Sequence, residues 1–399
     1  MPQVQGSQHF PQGQVPGRDL EDHLLPSLRR PPVRQPRSHG PGLHALRVGL
    51  RLVHFLGHPG AHLAAPALSR PGVAVAGFSQ PAPHALVRHA PQKDGGRGTK
   101  TKGIGFVAYI LAVGVATLDV VLTTDGYPEE NSKRRAQARR ITRGGNAANT
   151  LTVLARLGHE CAWAGTLAAD DAAAFIRRDL ERLGVALTAA RVHERGATPT
   201  SYVIHNRRNG SRTIVHYRDL AEFAAADFCT IDLSSCDWCH FEGRNPAETQ
   251  AMLAHARRPG LSLSLEVEQA RPGIENLFSL ADVLLFSRDY ALAQGAGDGA
   301  ALLNNLAPAL PGRRLFCTWG EEGAWAMDEN GNCHHQPASP VPEVVDTLGA
   351  GDTFNAGVID GCLRGYTVAR TLRHACHLAA LKCAHHGLEF PLEPYDRHL

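Results

Sequence analysis

An α/β fold built on a mostly parallel central sheet is predicted by three features of the sequence. From Val107 onward, short apolar runs alternate with segments of helical period, the rhythm of βαβ units with right-handed crossovers. One pair of runs, Thr200–His205 and Thr213–Tyr217, breaks that rhythm around Asn209-Gly210 and predicts a β-hairpin. Near the C-terminus, Val344-Val345 reads as the close of a strand, followed by a glycine-bearing turn and a helix-compatible run from Asp352.

Length and charge bound the rest. The 399 residues allow one large α/β domain or two smaller ones, each with a sizeable core. The net charge of +3 hides a split: residues 1–104 carry 13 Lys/Arg against 4 Asp/Glu, residues 105–399 carry 28 against 34. An acidic body argues against nucleic acid as the main partner. All nine cysteines follow residue 160, at irregular spacing and in odd number, which fits a reducing cytoplasm rather than a disulfide framework. No run reaches the ~18 apolar residues of a membrane span, and no signal-peptide pattern opens the chain.

Residues 1–104 hold 14 of 26 prolines and 9 of 22 histidines, without periodicity beyond an apolar patch near Leu43–Leu56. Such composition buries too little apolar surface to offset chain entropy and predicts disorder. A basic arm for an anionic partner and a histidine metal site are two readings. The expectation preferred here is an extension outside the working enzyme, brought in by an over-early start. Peptides from before residue 90 in a mass spectrum of the native N-terminus would overturn it.

Val107–Val115 is a continuous apolar run, hence a buried strand. Asp119 leaves its end, as a turn residue or as a ligand, and Glu129–Arg140 reads as an exposed excursion. In Arg143-Gly144-Gly145-Asn146-Ala147-Ala148-Asn149 the glycines let backbone approach a ligand. Asn146 and Asn149, three apart at a helix start, offer donors and acceptors on one face, or simply cap it. Cys161–Gly165 is strand-like, and Asp170–Leu183 is an amphipathic helix stopped at Gly184. Arg212 opens the returning hairpin strand. Cys236-Asp237-Trp238-Cys239-His240 matches the c-type haem pattern and offers a zinc pair, but it continues into Phe241-Glu242 and reads best as a core strand.

Alternation then resumes. Pro246–Arg257 and Ala291–Ala307 read as helices, the latter with a Gly-rich break, and Leu261–Val267, Val283–Ser287 and Arg314–Thr318 as strands, with a short helix between the first two. Trp319-Gly320-Glu321 sits past a strand end, where α/β sheets place ligands. Val358–Leu363 and Val368–His385 are further helices, and residues 391–399 a loose tail. In Asp346-Thr347-Leu348-Gly349-Ala350-Gly351-Asp352 the turn leaves helix N–H groups unpaired and favours an anion. A carboxylate at Asp352 beside that anion can accept a proton from a hydroxyl.

That string, with Gly144-Gly145-Asn146 and Asn149, resembles the two motifs of the ribokinase-like (PfkB) carbohydrate kinases, and the resemblance covers roughly residues 105–390. It implies a three-layer α/β/α sandwich with a small β-sheet lid, about 116–143 and 198–219, that clasps a second copy in a homodimer. Ser211-Arg212-Thr213-Ile214-Val215, His240-Phe241-Glu242-Gly243-Arg244-Asn245, Glu266-Val267-Glu268 and Glu343–Ala356 look most like members that phosphorylate fructose at O1. By motif, Asp119, Gly145, Asn146 and Asn149 would bind the sugar and Arg212 the transferring phosphate. Trp319, Glu321, Gly349, Gly351 and Asn355 would line the ATP site. Gly349, Ala350 and Gly351 would form the anion hole, and Asp352 would be the base.

ATP and Mg²⁺ follow from the resemblance, as does a monovalent cation such as K⁺ near Asp346. Ser287-Arg288-Asp289-Tyr290 departs from the Asn-x-x-Glu of many members, so the sequence names no magnesium ligand. Two alternatives stand. One is a family kinase for ribose, another ketose or 2-keto-3-deoxygluconate, with Arg143, Arg207, Arg208 and Arg218 available to an acidic substrate. The other is an idle sugar- or nucleotide-binding protein, against which the intact Asp352 and Gly-Ala-Gly turn argue.

Overall fold

Strand Tyr109–Val113 shows how the molecule is layered. Leu111 and Val113 join one apolar cluster while Ile110 and Ala112 join another, because successive side chains of a strand leave opposite faces. The computed structural model describes residues 106–392. The expectations for residues 1–104 and for most of the 391–399 tail lie outside that span.

A nine-stranded sheet runs in the order Cys333–Gln336, Ala324–Met327, Arg314–Thr318, Val283–Phe286, Ser262–Val267, Trp238–Glu242, Tyr109–Val113, Glu160–Ala164, Val185–Ala186. Every pairing is parallel except the two involving Ala324–Met327. Helices Asn146–Arg156, Asp171–Arg182, Ala350–Leu363 and Val368–Cys383 pack on one face around Leu151, Leu154, Ile176, Val358 and Leu372. Pro246–Ala256 and Gly299–Leu306 cover the other, around Leu253, Phe241, Leu265 and Leu303. This is a three-layer α/β/α fold. A separate four-stranded sheet runs Ala138–Gly144, Thr117–Thr124, Thr200–Asn206, Arg212–Tyr217.

The hairpin, the parallel strands and the Asp171–Arg182 helix, capped by Asp170 accepting from Ala173 N–H, match expectation. Four points differ. Val344-Val345 is not a strand: Val344 is 61% exposed, and the amides of Val345 and Asp346 bond the Cys383 carbonyl at a helix end (2.8 and 3.1 Å). Two valines are too short a run to compete with that terminus. The following helix, Ala350–Leu363, continues unbroken through the expected separate helix Val358–Leu363, which is its second half. Ala291–Ala307 is two helices, Arg288–Ala293 and Gly299–Leu306, the first ending before Gly295 in a left-handed conformation (φ 75°). The Glu129–Arg140 excursion ends inside strand Ala138–Gly144.

Cys239 and His240 lie in the core strand expected, Trp238–Glu242, with Cys236 buried just before it. Cys236 Sγ lies 3.7 Å from Cys239 Sγ, and Cys239 and His240 leave opposite faces of a fully buried strand. His240 Nδ1 is bonded to Ser264 Oγ (2.9 Å). No single ion or haem edge can meet both residues.

Candidate active site

Two helix starts meet at the carboxyl ends of the central strands. Gly145 caps Asn146–Arg156 at φ 100°, and a Cβ there would strike the Val115 carbonyl at 2.1 Å, so only glycine fits. Gly349 caps Ala350–Leu363 at φ 85°, again a left-handed turn. Between them opens a cleft of about 930 Å³, roofed by the small sheet. Asp119, Gly145, Asn146, Asn149, Arg212, Gly349, Gly351, Asp352 and Asn355 all line it. Ala350 joins Gly349 to Gly351 in the first turn of the helix.

Asp352 is nearly buried, and its Oδ2 accepts from Asn149 Nδ2 at 2.7 Å. Asn149 Oδ1 in turn accepts from Arg143 Nη1 at 2.7 Å. Arg143 also donates to Thr152 Oγ1 (2.7 Å) and Asp179 Oδ2 (2.9 Å). The expected sugar ligand Asn149 therefore holds the expected base, and Arg143, which the sequence left free for an acidic substrate, is spent inside the protein. Arg208 pairs with Asp125 at the exposed hairpin end, and Arg218 lies 3.8 Å from Glu222.

Burial pushes the Asp352 carboxyl up to about 7, with the Glu268 and Glu242 charges adding to the rise and the Asn149 hydrogen bond opposing it. Burial likewise raises Glu242 to about 7 and Glu266 well above the carboxylate range. Glu242 Oε1 accepts from the amides of Ala147 (2.6 Å) and Val115 (3.1 Å). Asn146 Nδ2 donates to Glu266 Oε1 (3.1 Å), while Glu266 Oε2 is buried without a hydrogen-bond partner among the described residues. Asp119 Oδ1 accepts from Thr117 Oγ1 (2.7 Å).

Trp319 and Glu321 are not brought into this wall. The Trp319 ring is 3% exposed, edge-on to Trp325 at 6.0 Å with the Arg288 guanidinium 5.5 Å above it. Glu321 sits exposed on the Gly320–Glu322 turn. Thr318, Gly320, Ser287 and Arg288 line the cleft there instead.

The oxygens of Asp346 are occupied by protein. Its carboxylate accepts from the amides of Leu348 (2.9 Å) and Gly387 (3.2 Å) and lies 3.4 Å from Arg140 and from Lys382. The fully buried Lys382 ammonium donates to the Asp346 carbonyl at 2.7 Å. Burial opposes the charge on Asp346, but these donors hold its pKa below the usual value.

Sequence reasoning gave no role to Glu242, Glu266, Ser201, His216 or Lys382. The first two had a readable signal, a carboxylate at or next to the carboxyl end of a parallel strand. Lys382 had none, since nothing in a helix sequence announces that a lysine is buried.

The family model for pfkB family carbohydrate kinases matches residues 107–394. Mouse ketohexokinase is 40% identical over 290 residues, 70% of this chain and 97% of that protein. An ATP-dependent ribose-1-phosphate kinase from Halopiger xanaduensis is 29% identical over 293 residues, 70% and 93% of the two chains. Among solved structures, the ribokinase of Cryptococcus neoformans in complex with ADP superposes with TM-score 0.60 at 18% identity, over 71% of this chain and 96% of the other. The nucleoside kinase of Methanocaldococcus jannaschii gives 0.61 at 17%, over 73% and 97%.

Proposed function

The chain belongs to the PfkB family of carbohydrate kinases and is a sugar phosphotransferase, and from that premise we propose that it is a ketohexokinase, converting fructose to fructose 1-phosphate with MgATP. The observation that carries the chemistry is Asp352, a buried carboxyl held by Asn149 at the open start of the Ala350–Leu363 helix. Asp352 takes the proton of the attacking sugar hydroxyl as the new O–P bond forms and the β–γ bridging bond of ATP breaks, releasing ADP. Amides of Gly349, Ala350 and Gly351, with the helix dipole, stabilise the equatorial oxygens. Asp119, Gly145 and Asn146 hold the sugar, Asn149 serves both sugar and base, and Arg212 meets the transferring phosphate. Asn355 and the Gly320 turn border the nucleotide, with Trp319 as a buried support beneath and Glu321 at the rim.

The family implies a divalent ion, and the donor set fits one. Glu266 Oε2 is a hard oxygen without a hydrogen-bond partner among the described residues, and Glu268 lines the same cleft; Mg²⁺ asks for one or two carboxylates beside phosphates and water. Mg²⁺ would neutralise the β- and γ-phosphate oxygens. K⁺ fits less freely, because Lys382 and two amides already engage Asp346.

The test is ADP release by the full chain with fructose, tagatose, ribose, glucose and 2-keto-3-deoxygluconate, in K⁺ and in Na⁺. Fructose-dependent release, with NMR placing phosphate on O1, is expected. Preference for another sugar would replace the ketohexokinase reading, and sugar binding without turnover with any of them would favour the idle binder.

A homodimer through the small sheet belongs to the same reading. Ile141, Val120, Tyr202 and Val215 form one cross-strand row, on the face opposite Asp119 because strand residues alternate. Tyr202 and Val215 are 51% and 62% exposed, an apolar patch suited to a partner. Sedimentation should give a dimer that V215E converts to monomer; a monomeric parent protein at tens of micromolar overturns this. The nine free thiols support a cytoplasmic setting, and none of the described helices is long and apolar enough to cross a membrane.

A further inference from the structure

The inner face of the small sheet carries a second row that no motif announces. Register sets Asp119 opposite Ser201 and Ser201 opposite His216, and all three line the cleft. Thr117 Oγ1 donates to Asp119 Oδ1 at 2.7 Å; burial raises the Asp119 pKa, and the neighbouring Thr117 and Ser201 hydroxyls oppose the rise. A carboxylate only accepts, and a serine hydroxyl has one proton to give. Ser201 Oγ lies 3.2 Å from His216 Nδ1, and with the serine proton turned toward Asp119 it accepts from that nitrogen. In that arrangement Nδ1 carries hydrogen and Nε2 keeps a lone pair.

The charges around the ring favour the neutral form. Burial, then the Arg218 and Arg244 guanidiniums, lower the His216 pKa, with Asp119 alone opposing them. Both arginines face Glu222, Arg244 at 2.8 Å and Arg218 at 3.8 Å, and Arg218 Nε is buried without a hydrogen-bond partner among the described residues. This corner of the cleft thus offers an acceptor nitrogen and a carboxylate. It suits a hydroxyl.

Resting on the kinase reading above, we propose that His216 is a specificity-determining residue. Its Nε2 accepts a hydrogen bond from an acceptor-sugar hydroxyl, with Ser201 fixing the ring, and it selects for sugars that carry that hydroxyl.

Loss of one neutral hydrogen bond predicts that H216F raises the KM for the preferred sugar about tenfold, while kcat and the KM for ATP stay within about twofold. H216Q, which restores an acceptor, should recover most of the loss, and S201A, which frees the ring, should fall between. Deoxy analogues of the sugar add a second readout. One of them should lose about tenfold in kcat/KM with the parent enzyme and nothing further with H216F. An unchanged sugar KM in folded H216F, an effect on ATP instead, or equal penalties for every deoxy analogue in both proteins would overturn the proposal. If the parent protein turned over no sugar, the kinase reading would fail separately. Calorimetric sugar affinity of parent, H216F and S201A would then decide the role of His216 on its own. Thermal melts identify an unfolded variant, and S201A, a smaller change, carries the test if H216F does not fold.

Discussion

D352N is expected to lower kcat by at least about 10²–10⁴-fold, the range for removing a positioned general base, with little change in sugar or ATP affinity. The variant keeps the shape of the site. An asparagine oxygen can still accept from Asn149 Nδ2, and the Gly349–Gly351 amides are untouched. Its stability moves the other way. The folded protein raises the Asp352 pKa to about 7 from an ordinary value of 3.8, mainly through burial. A raised carboxyl stabilises the fold only while protonated: its contribution is complete below about 3.8 and is lost as pH climbs through about 7. Above pH 7 the native enzyme carries a strained charge that the amide lacks, so D352N should melt higher than the parent at pH 8 and about equally at pH 4. Activity has the opposite slope. The base must be ionised, so kcat/KM should fall about tenfold per pH unit below about 7. Near-normal turnover in D352N, or a flat profile from pH 5 to 8, would remove Asp352 from the base role.

How far the sequence speaks depends on the range of the interaction. Gly349 and Gly145 were legible because a left-handed turn before a helix is a local demand that few residues meet. The parallel strands were legible because burial on both faces writes continuous apolar runs such as Val283–Phe286. Edge strand Cys333–Gln336 and its neighbour Ala324–Met327 were missed, since Cys-His-His-Gln has neither alternation nor β-branched residues and is held by pairing alone. Each half of the site was readable separately, Asn149 at one helix start and Asp352 at another. Their contact spans 203 positions and is set by how helices Asn146–Arg156 and Ala350–Leu363 pack, which no local pattern encodes. Trp319 is a different case: a large aromatic beside a ligand turn is as useful beneath it as on its surface, and here it is 3% exposed.

Arg143 shows the largest gap between reading and structure, and its replacement should be the most damaging change outside the reacting groups. The guanidinium is 6% exposed and donates to three side chains on two helices: Asn149 and Thr152 on one, Asp179 on the other. Burial lowers its pKa, and the charges of Asp179, Asp352 and Asp119 restore part of the loss. R143M fills much the same volume but leaves Asn149 Oδ1 and Thr152 Oγ1 without that donor, at about 1–3 kcal/mol for each buried group left unsatisfied. Thr152 still bonds the Ala148 carbonyl (2.9 Å), and Asp179 is partly exposed and keeps Arg182, so the total should lie near the lower end, about 2–4 kcal/mol. Catalysis should suffer beyond stability. With Arg143 gone, the Asn149 amide is free to turn, its hydrogen bond to Asp352 is no longer enforced, and the carboxyl loses both that donor and a nearby positive charge. Each loss favours the protonated acid. The expected result is a kcat/KM profile whose acid limb moves to higher pH in R143M, with activity at pH 8.5 recovering relative to pH 6.5. A purely structural arginine would lower the melting temperature and leave that limb in place. R143K, which keeps charge but cannot reach three partners with a planar fork, should restore the position of the limb more than the stability.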